Sequence, residues 1–124
     1  MPRLTYTWRV KLRADVTRWD EVTLERVNEM VSRKTVDGDD STLTQVYLKK
    51  GALVPLHAHA REQMIYVLQG CLRWMIAPVT KLAGNSGPAQ DVTVREGEVL
   101  RIPVGLGHQA EALDDTFVIT VLVR

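Results

Sequence analysis

Apolar residues recur mostly every second position along this chain, the spacing of half-buried β-strands. Tyr6, Trp8, Val10 and Leu12 alternate with Thr7, Arg9 and Lys11, which predicts an N-terminal strand. Leu43 to Leu48 is a second β-rich run. Ile65 to Leu68 and Leu72 to Ile76 flank Gln69-Gly70-Cys71, which predicts a hairpin with Gly70 at the turn. Val92 to Val94, Val99 to Ile102 and Phe117 to Val123 complete the set. Asp37-Gly38-Asp39, Lys50-Gly51, Asn85-Ser86-Gly87-Pro88, Glu96-Gly97 and Pro103-Val104-Gly105 are the turn signals between them. Many short strands with regular turns predict an all-β sandwich or barrel. Between Val16 and Asn28 neither period is clean, and Arg18 to Glu21 fits one helical turn. A small-residue loop is expected over Ala83 to Gln90.

At 124 residues the chain is long enough for one domain and too short for two. A single cysteine, Cys71, excludes an internal disulfide framework and a thiolate zinc site, and it has no activating partner in the sequence. The net charge of +1 argues against nucleic acid as a partner, because phosphate binding needs clustered Lys and Arg. No apolar run approaches the ~18–20 residues of a membrane span, and the first residues carry no secretory h-region. The expectation is a soluble cytoplasmic protein with no membrane partner.

The three histidines change the picture. His57 and His59 are two apart, so on an extended strand both imidazoles face one side and can reach one metal ion. The same parity, continued, puts Arg61 and Gln63 on that face and Glu62 on the other. Gln63 is then the better further ligand, through its amide oxygen, and Glu62 replaces it only if a turn after Ala60 breaks the parity. If Gln63 faces in, so do Ile65 and Val67, while Tyr66 faces out. His108 follows Pro103-Val104-Gly105-Leu106-Gly107, and closure of a barrel brings it opposite the first pair. Taken alone, a His-x-His pair is as often a hydrated surface feature as a metal site.

The full spacing around these residues resembles the cupin superfamily at both of its signature motifs. Gly51, five residues, His57-Ala58-His59, three residues, Gln63, six residues and Gly70 follow the first motif. Gly97, five residues, Pro103-Val104-Gly105, two residues, His108, three residues and Ala112 follow the second. The resemblance covers Val46 to Val123. It implies a double-stranded β-helix, or jelly-roll, with a divalent metal held by His57, His59, Gln63 and His108. The barrel is expected over residues 37–124, with residues 1–36 as an N-terminal strand or extension packing on it. Gln63 stands where the first motif usually has Glu, and Ala112 where the second has Asn. With three imidazoles and an amide, the metal's charge is uncompensated by protein, which favours an anionic ligand. Imidazole and amide ligands suit iron, nickel, zinc or manganese.

The chain is most similar to small single-domain cupins with H-x-H-x3-Q, which include uronate-linearising members of the pectin-degradation type and isomerases of secondary metabolism. The uronate-acting members carry an Asp on the last strand, about where Thr120 stands here. The resemblance implies a metalloenzyme acting on a small oxygenated anion by isomerisation, ring opening or elimination through an enolate-like intermediate. An iron-dependent dioxygenase at the same site is the second reading. A binding or sensing cupin without turnover is the third, favoured if no acid–base group reaches the metal. Tyr47, Arg61 and Arg101 are the candidates for proton transfer or substrate charge. Trp74 and Met75 read as wall or core. Small cupins of this kind pair through N-terminal strands, so a homodimer is expected, with Trp8 and Trp19 either at that interface or capping the barrel's own core.

Overall fold

The computed structural model of the protein describes residues 13–78 and 89–123. The expected strand over 6–12, with Trp8, lies outside the described residues, and so does the expected loop up to residue 88. The described chain forms ten strands: β1 Glu25–Arg26, β2 Val31–Asp37, β3 Ser41–Leu48, β4 Leu53–Ala58, β5 Gln63–Gln69, β6 Cys71–Pro78, β7 Gln90–Arg95, β8 Val99–Ile102, β9 Leu106–Ala112 and β10 Thr116–Val123. A single 3-10 turn, Trp19–Glu21, occupies the place where one helical turn is expected. No helix among the described residues is long and apolar enough to cross a membrane.

The strands form two antiparallel sheets. The larger has the order β1-β2-β3-β10-β5-β8 and the smaller β4-β9-β6-β7. This is the jelly-roll expected from the sequence, since neighbours in space such as β3 and β10 are distant along the chain. Period-two patterning sets the register. On β5, Ile65 and Val67 are buried while Met64 and Tyr66 are exposed. On β6, Leu72, Trp74 and Ile76 are buried. With Leu48, Val94, Ile102 and Val118 these residues form the core between the sheets. A one-residue slip on either strand would expose the whole set.

Gly70 joins β5 to β6 with φ of +94°, a left-handed conformation. A Cβ there would also strike the backbone of Asp115 and Thr116. The β5–β6 hairpin therefore closes against the start of β10, the strand that β5 pairs with.

The chain before residue 37 is more than an extension. β2 pairs with β3 along its full length, from Val31 opposite Leu48 to Asp37 opposite Thr42. A boundary drawn after residue 36 therefore cuts through a strand of the larger sheet. Period two was hidden in β2 because its residues are largely polar: Ser32, Arg33, Lys34 and Thr35. Trp19 lies on the outer side of this sheet, where its carbonyl accepts from Lys34 Nζ at 2.8 Å.

Candidate metal centre

β4 and β9 are neighbours in the smaller sheet, with Leu53 opposite Glu111, Val54 opposite Ala110 and His57 opposite His108. Three residues advance on β4 for two on β9, so a bulge lies between Val54 and His57. Bulges re-aim the side chain that follows them. Here His57 is set beside His108, with ring centroids 4.2 Å apart. His59, just past the end of β4, stands 4.9 Å from His57 and 5.4 Å from His108. One ligand nitrogen from each of the three lies within 4.8 Å of the others. The barrel thus brings together all three histidines of the sequence.

Local hydrogen bonds orient two of the rings. His57 Nδ1 lies 2.7 Å from the Pro55 carbonyl, and His108 Nδ1 lies 3.2 Å from that of Leu106. A carbonyl only accepts, so Nδ1 carries the proton and Nε2 presents its lone pair. His108 is 1% exposed, and its Nε2 is buried with no partner. Burial, reinforced by His57, pulls its pKa down to about 4, against a smaller opposing effect of the Leu106 carbonyl. Burial and then His57 also lower the pKa of His59. Neutral imidazoles with free lone pairs are what a metal needs.

Gln63 reaches the same region by a different route from the one parity suggests. The chain bends at Ala60 and Arg61 and crosses from the smaller sheet to the larger, where Gln63 opens β5. Parity does break after Ala60, yet Glu62 does not turn inward. Its carboxylate accepts from Arg101 Nη1 at 3.0 Å on the exposed side. Gln63 lines the interior cavity beside His57 and His59, and its Oε1 is buried without a partner. Two buried acceptors, His108 Nε2 and Gln63 Oε1, therefore lack donors among the described residues. Such orphans are costly when nothing completes them, and both carry the lone pairs that a cation takes. The donor set fits a borderline divalent ion.

The cavity between the sheets has a volume of about 510 Å³. Among the described residues lining it are Arg33, Thr35, Thr44, Trp74 and Thr120, and none is Asp, Glu, Lys or Tyr. Arg33 donates to Glu25, its cross-strand partner on β1, at 2.8 and 3.2 Å. Asp37 touches the lining through Thr42, whose hydroxyl donates to it at 3.2 Å.

The three expected acid–base residues do not join this cavity. Tyr47 lies on the opposite face of β3 from Thr44 and Val46, stacked on Phe117 at 4.5 Å, with its hydroxyl donating to Gln45 at 3.3 Å. Arg101 pairs with exposed Met64 on the outer side and is engaged by Glu62. Arg61 is exposed at the corner between sheets and is not part of the lining. The strand parity of Tyr47 relative to Leu48 contained this outcome, but the face of β3 that turns inward was not evident while β2 was unread. Arg33, Thr35 and Thr44 carry no signal in the sequence for the same reason.

A family model described as cupin matches residues 26–123. The protein belongs to the cupin family. Among solved structures, this cupin is similar to KdgF from Halomonas sp., with 25% identity, coverage of 88% of this chain and 94% of that one, and a TM-score of 0.69. An RmlC-like cupin from Shewanella frigidimarina shares the fold at 16% identity, 90% and 91% coverage and a TM-score of 0.68. So does oxalate decarboxylase from Bacillus subtilis, at 19% identity and a TM-score of 0.72, with 90% of this chain matching 30% of that one. No curated protein matches the sequence.

Proposed function

We propose that this cupin holds one divalent metal ion through His57, His59, His108 and Gln63, and acts on a small oxygenated anion by isomerisation, ring opening or elimination. The observation that carries the reading is the convergence of three imidazoles beside a cavity whose described lining contains no carboxylate. A bound divalent ion supplies Lewis-acid charge to ligand oxygens. The chain itself fixes ring orientation through the Pro55 and Leu106 carbonyls, excludes water with Ile65, Leu72 and Trp74, and leaves the ion's charge for the ligand to neutralise. The similarity to Halomonas KdgF, together with the resemblance to pectin-degradation cupins, puts uronate-like acids first among substrates to assay. Thr120 lines the cavity and offers a hydroxyl in place of a carboxylate.

A second reading, ligand binding without turnover, is favoured by one observation: apart from the histidines and Arg33, no titratable side chain lines the cavity among the described residues. Proton transfer would then fall to solvent or to the ligand's own groups. Elemental analysis of untagged protein beside the His57→Ala/His59→Ala double variant tests the common premise. Stoichiometric manganese, nickel or zinc, absent from the variant, leads to isomerase and lyase assays on uronate-like acids. Iron leads first to oxygen-uptake assays, the signature of a dioxygenase. Metal with binding but no turnover leaves the second reading, and no metal before or after titration refutes both. The homodimer implied by the resemblance belongs to this reading too, and a monomeric mass by light scattering removes it.

A further inference from the structure

Among the described residues, three buried side-chain polar atoms lack partners: Gln63 Oε1, His108 Nε2 and Trp74 Nε1. A cation accounts for the first two, which carry lone pairs. It does not account for the third, because an indole N–H donates only and cannot ligate a metal. Trp74 is 4% exposed, sits on the inner face of β6 and lines the cavity, and its ring centroid is 5.7 Å from that of His108. A buried donor beside the candidate metal ligands needs an acceptor that the described protein does not provide.

The opposite wall is polar in a different way. Thr35 on β2, Thr44 on β3 and Thr120 on β10 lie side by side in register and face the cavity. Thr35 and Thr44 share one long hydrogen bond of 3.4 Å, and the Thr120 hydroxyl makes none among the described residues. Hydroxyls both donate and accept, so this row matches neutral groups that do the same, such as the hydroxyls of a sugar-derived chain.

We propose that Trp74 is the anion-orienting residue of the cavity: its indole N–H donates to a carboxylate oxygen of a hydroxycarboxylate whose hydroxyl groups meet Thr35, Thr44 and Thr120. The inference rests on the metal-binding reading above, because the metal supplies the charge that draws the carboxylate to this wall. Hydrogen bonds to ionised acceptors are among the stronger ones, and a buried donor with no alternative partner makes the choice of ligand selective.

The test uses full-length protein loaded with zinc, which is diamagnetic, and gluconate as the probe, with acetate as the comparison lacking hydroxyls. The sequence has three tryptophans, so the indole signal that survives both Trp8→Phe and Trp19→Phe belongs to Trp74. Gluconate is expected to move that signal downfield. Trp74→Phe is expected to keep zinc and to weaken gluconate about tenfold or more. Thr120→Val is expected to weaken gluconate and leave acetate unchanged. Zinc bound with no gluconate binding, or gluconate bound with the Trp74 signal unmoved, overturns the proposal while leaving the metal reading intact. Wild-type protein that takes up no zinc overturns both. Should Trp74→Phe unfold or lose zinc, the wild-type indole signal decides alone.

Discussion

His57 on β4 and His108 on β9 are direct cross-strand partners, and each gives its Nδ1 to the carbonyl two residues before it. The same local device, repeated on two adjacent strands, aims both Nε2 atoms away from the backbone. Second-position hydrogen bonds of this kind fix the tautomer and raise the basicity of a ligating imidazole.

Removing one partner tests this arrangement. His108→Ala is expected to weaken metal binding on the order of 100-fold or more, a loss at or beyond the upper end of that seen when second-shell partners are removed. The barrel should stay folded, because His108 is not a member of the apolar cluster that joins the two sheets. Metal titration followed by calorimetry and circular dichroism reads both quantities. Full metal occupancy in the variant would refute the ligand role.

Gln63→Glu places a carboxylate where a neutral amide oxygen is buried without a donor. In metal-free protein the new charge has no partner, so the melting temperature should fall and the carboxyl should stay protonated near neutral pH. With metal bound the loss should reverse, and affinity for anionic ligands should drop by about 1–3 kcal/mol through repulsion at close range. Equal melting temperatures with and without metal would remove Gln63 from the coordination shell.

Much of the barrel was legible because its central strands are amphipathic with period two. β5 alternates as expected through Ile65, Tyr66 and Val67, and β6, joined to it at Gly70, alternates from Leu72 to Ile76. The three histidines were legible from spacing alone, since the motif fixes how far each lies from its turn glycine. β2 was not, because beyond Val31 its inner face is Arg33 and Thr35 rather than apolar residues. Without β2 the lining of the larger sheet has no sequence signal, and nearness to the motifs does not reveal that Tyr47 and Arg101 face outward. Strand parity does not carry from His59 to Gln63, because the chain crosses from the smaller sheet to the larger between them, and the two share a cavity rather than a strand face.

The same correction yields a contrast between two groups of variants. Tyr47→Phe removes one 3.3 Å hydrogen bond to Gln45 and keeps the ring on Phe117. Arg101→Ala breaks an exposed ion pair with Glu62, worth at most about 1 kcal/mol. Both are expected to leave metal content and anion affinity unchanged, whereas Arg33→Ala, in the lining, should weaken anions. A Tyr47→Phe protein that keeps metal but loses turnover would return that hydroxyl to the site.

Gly70→Ala should destabilise the fold by about 2 kcal/mol or more, since alanine is strained at this φ. The added methyl also meets the backbone at Asp115 and Thr116, which cannot move without disturbing the register of β10. Chemical denaturation would show it as a lower midpoint at unchanged slope. Gly97→Ala is the control: its φ of +85° brings similar strain, but its Cβ meets nothing within 4 Å, so the smaller loss isolates the steric part at Gly70.

Acid should act on the metal-free protein through His108 before it acts through the carboxylates. The unfolded chain protonates this imidazole near the ordinary histidine value of about 6.5, whereas the folded site resists until about 4. Between those values the unfolded state binds the extra proton. Stability is therefore full above about pH 6.5 and falls as pH drops towards 4, with His59 adding in the same direction. Glu25 and Asp91, lowered by their hydrogen bonds to Arg33 and Arg73, act in a separate window, losing their contribution only below the ordinary carboxylate range. Bound metal should move the onset of the histidine limb to lower pH, because protons must then displace it. Denaturant midpoints measured from pH 8 to 4 would show the limb in wild-type protein, and His108→Ala should remove most of it while sparing the limb at lower pH. A variant that keeps the full slope between pH 6.5 and 4 would show that His108 is not the group that resists protonation.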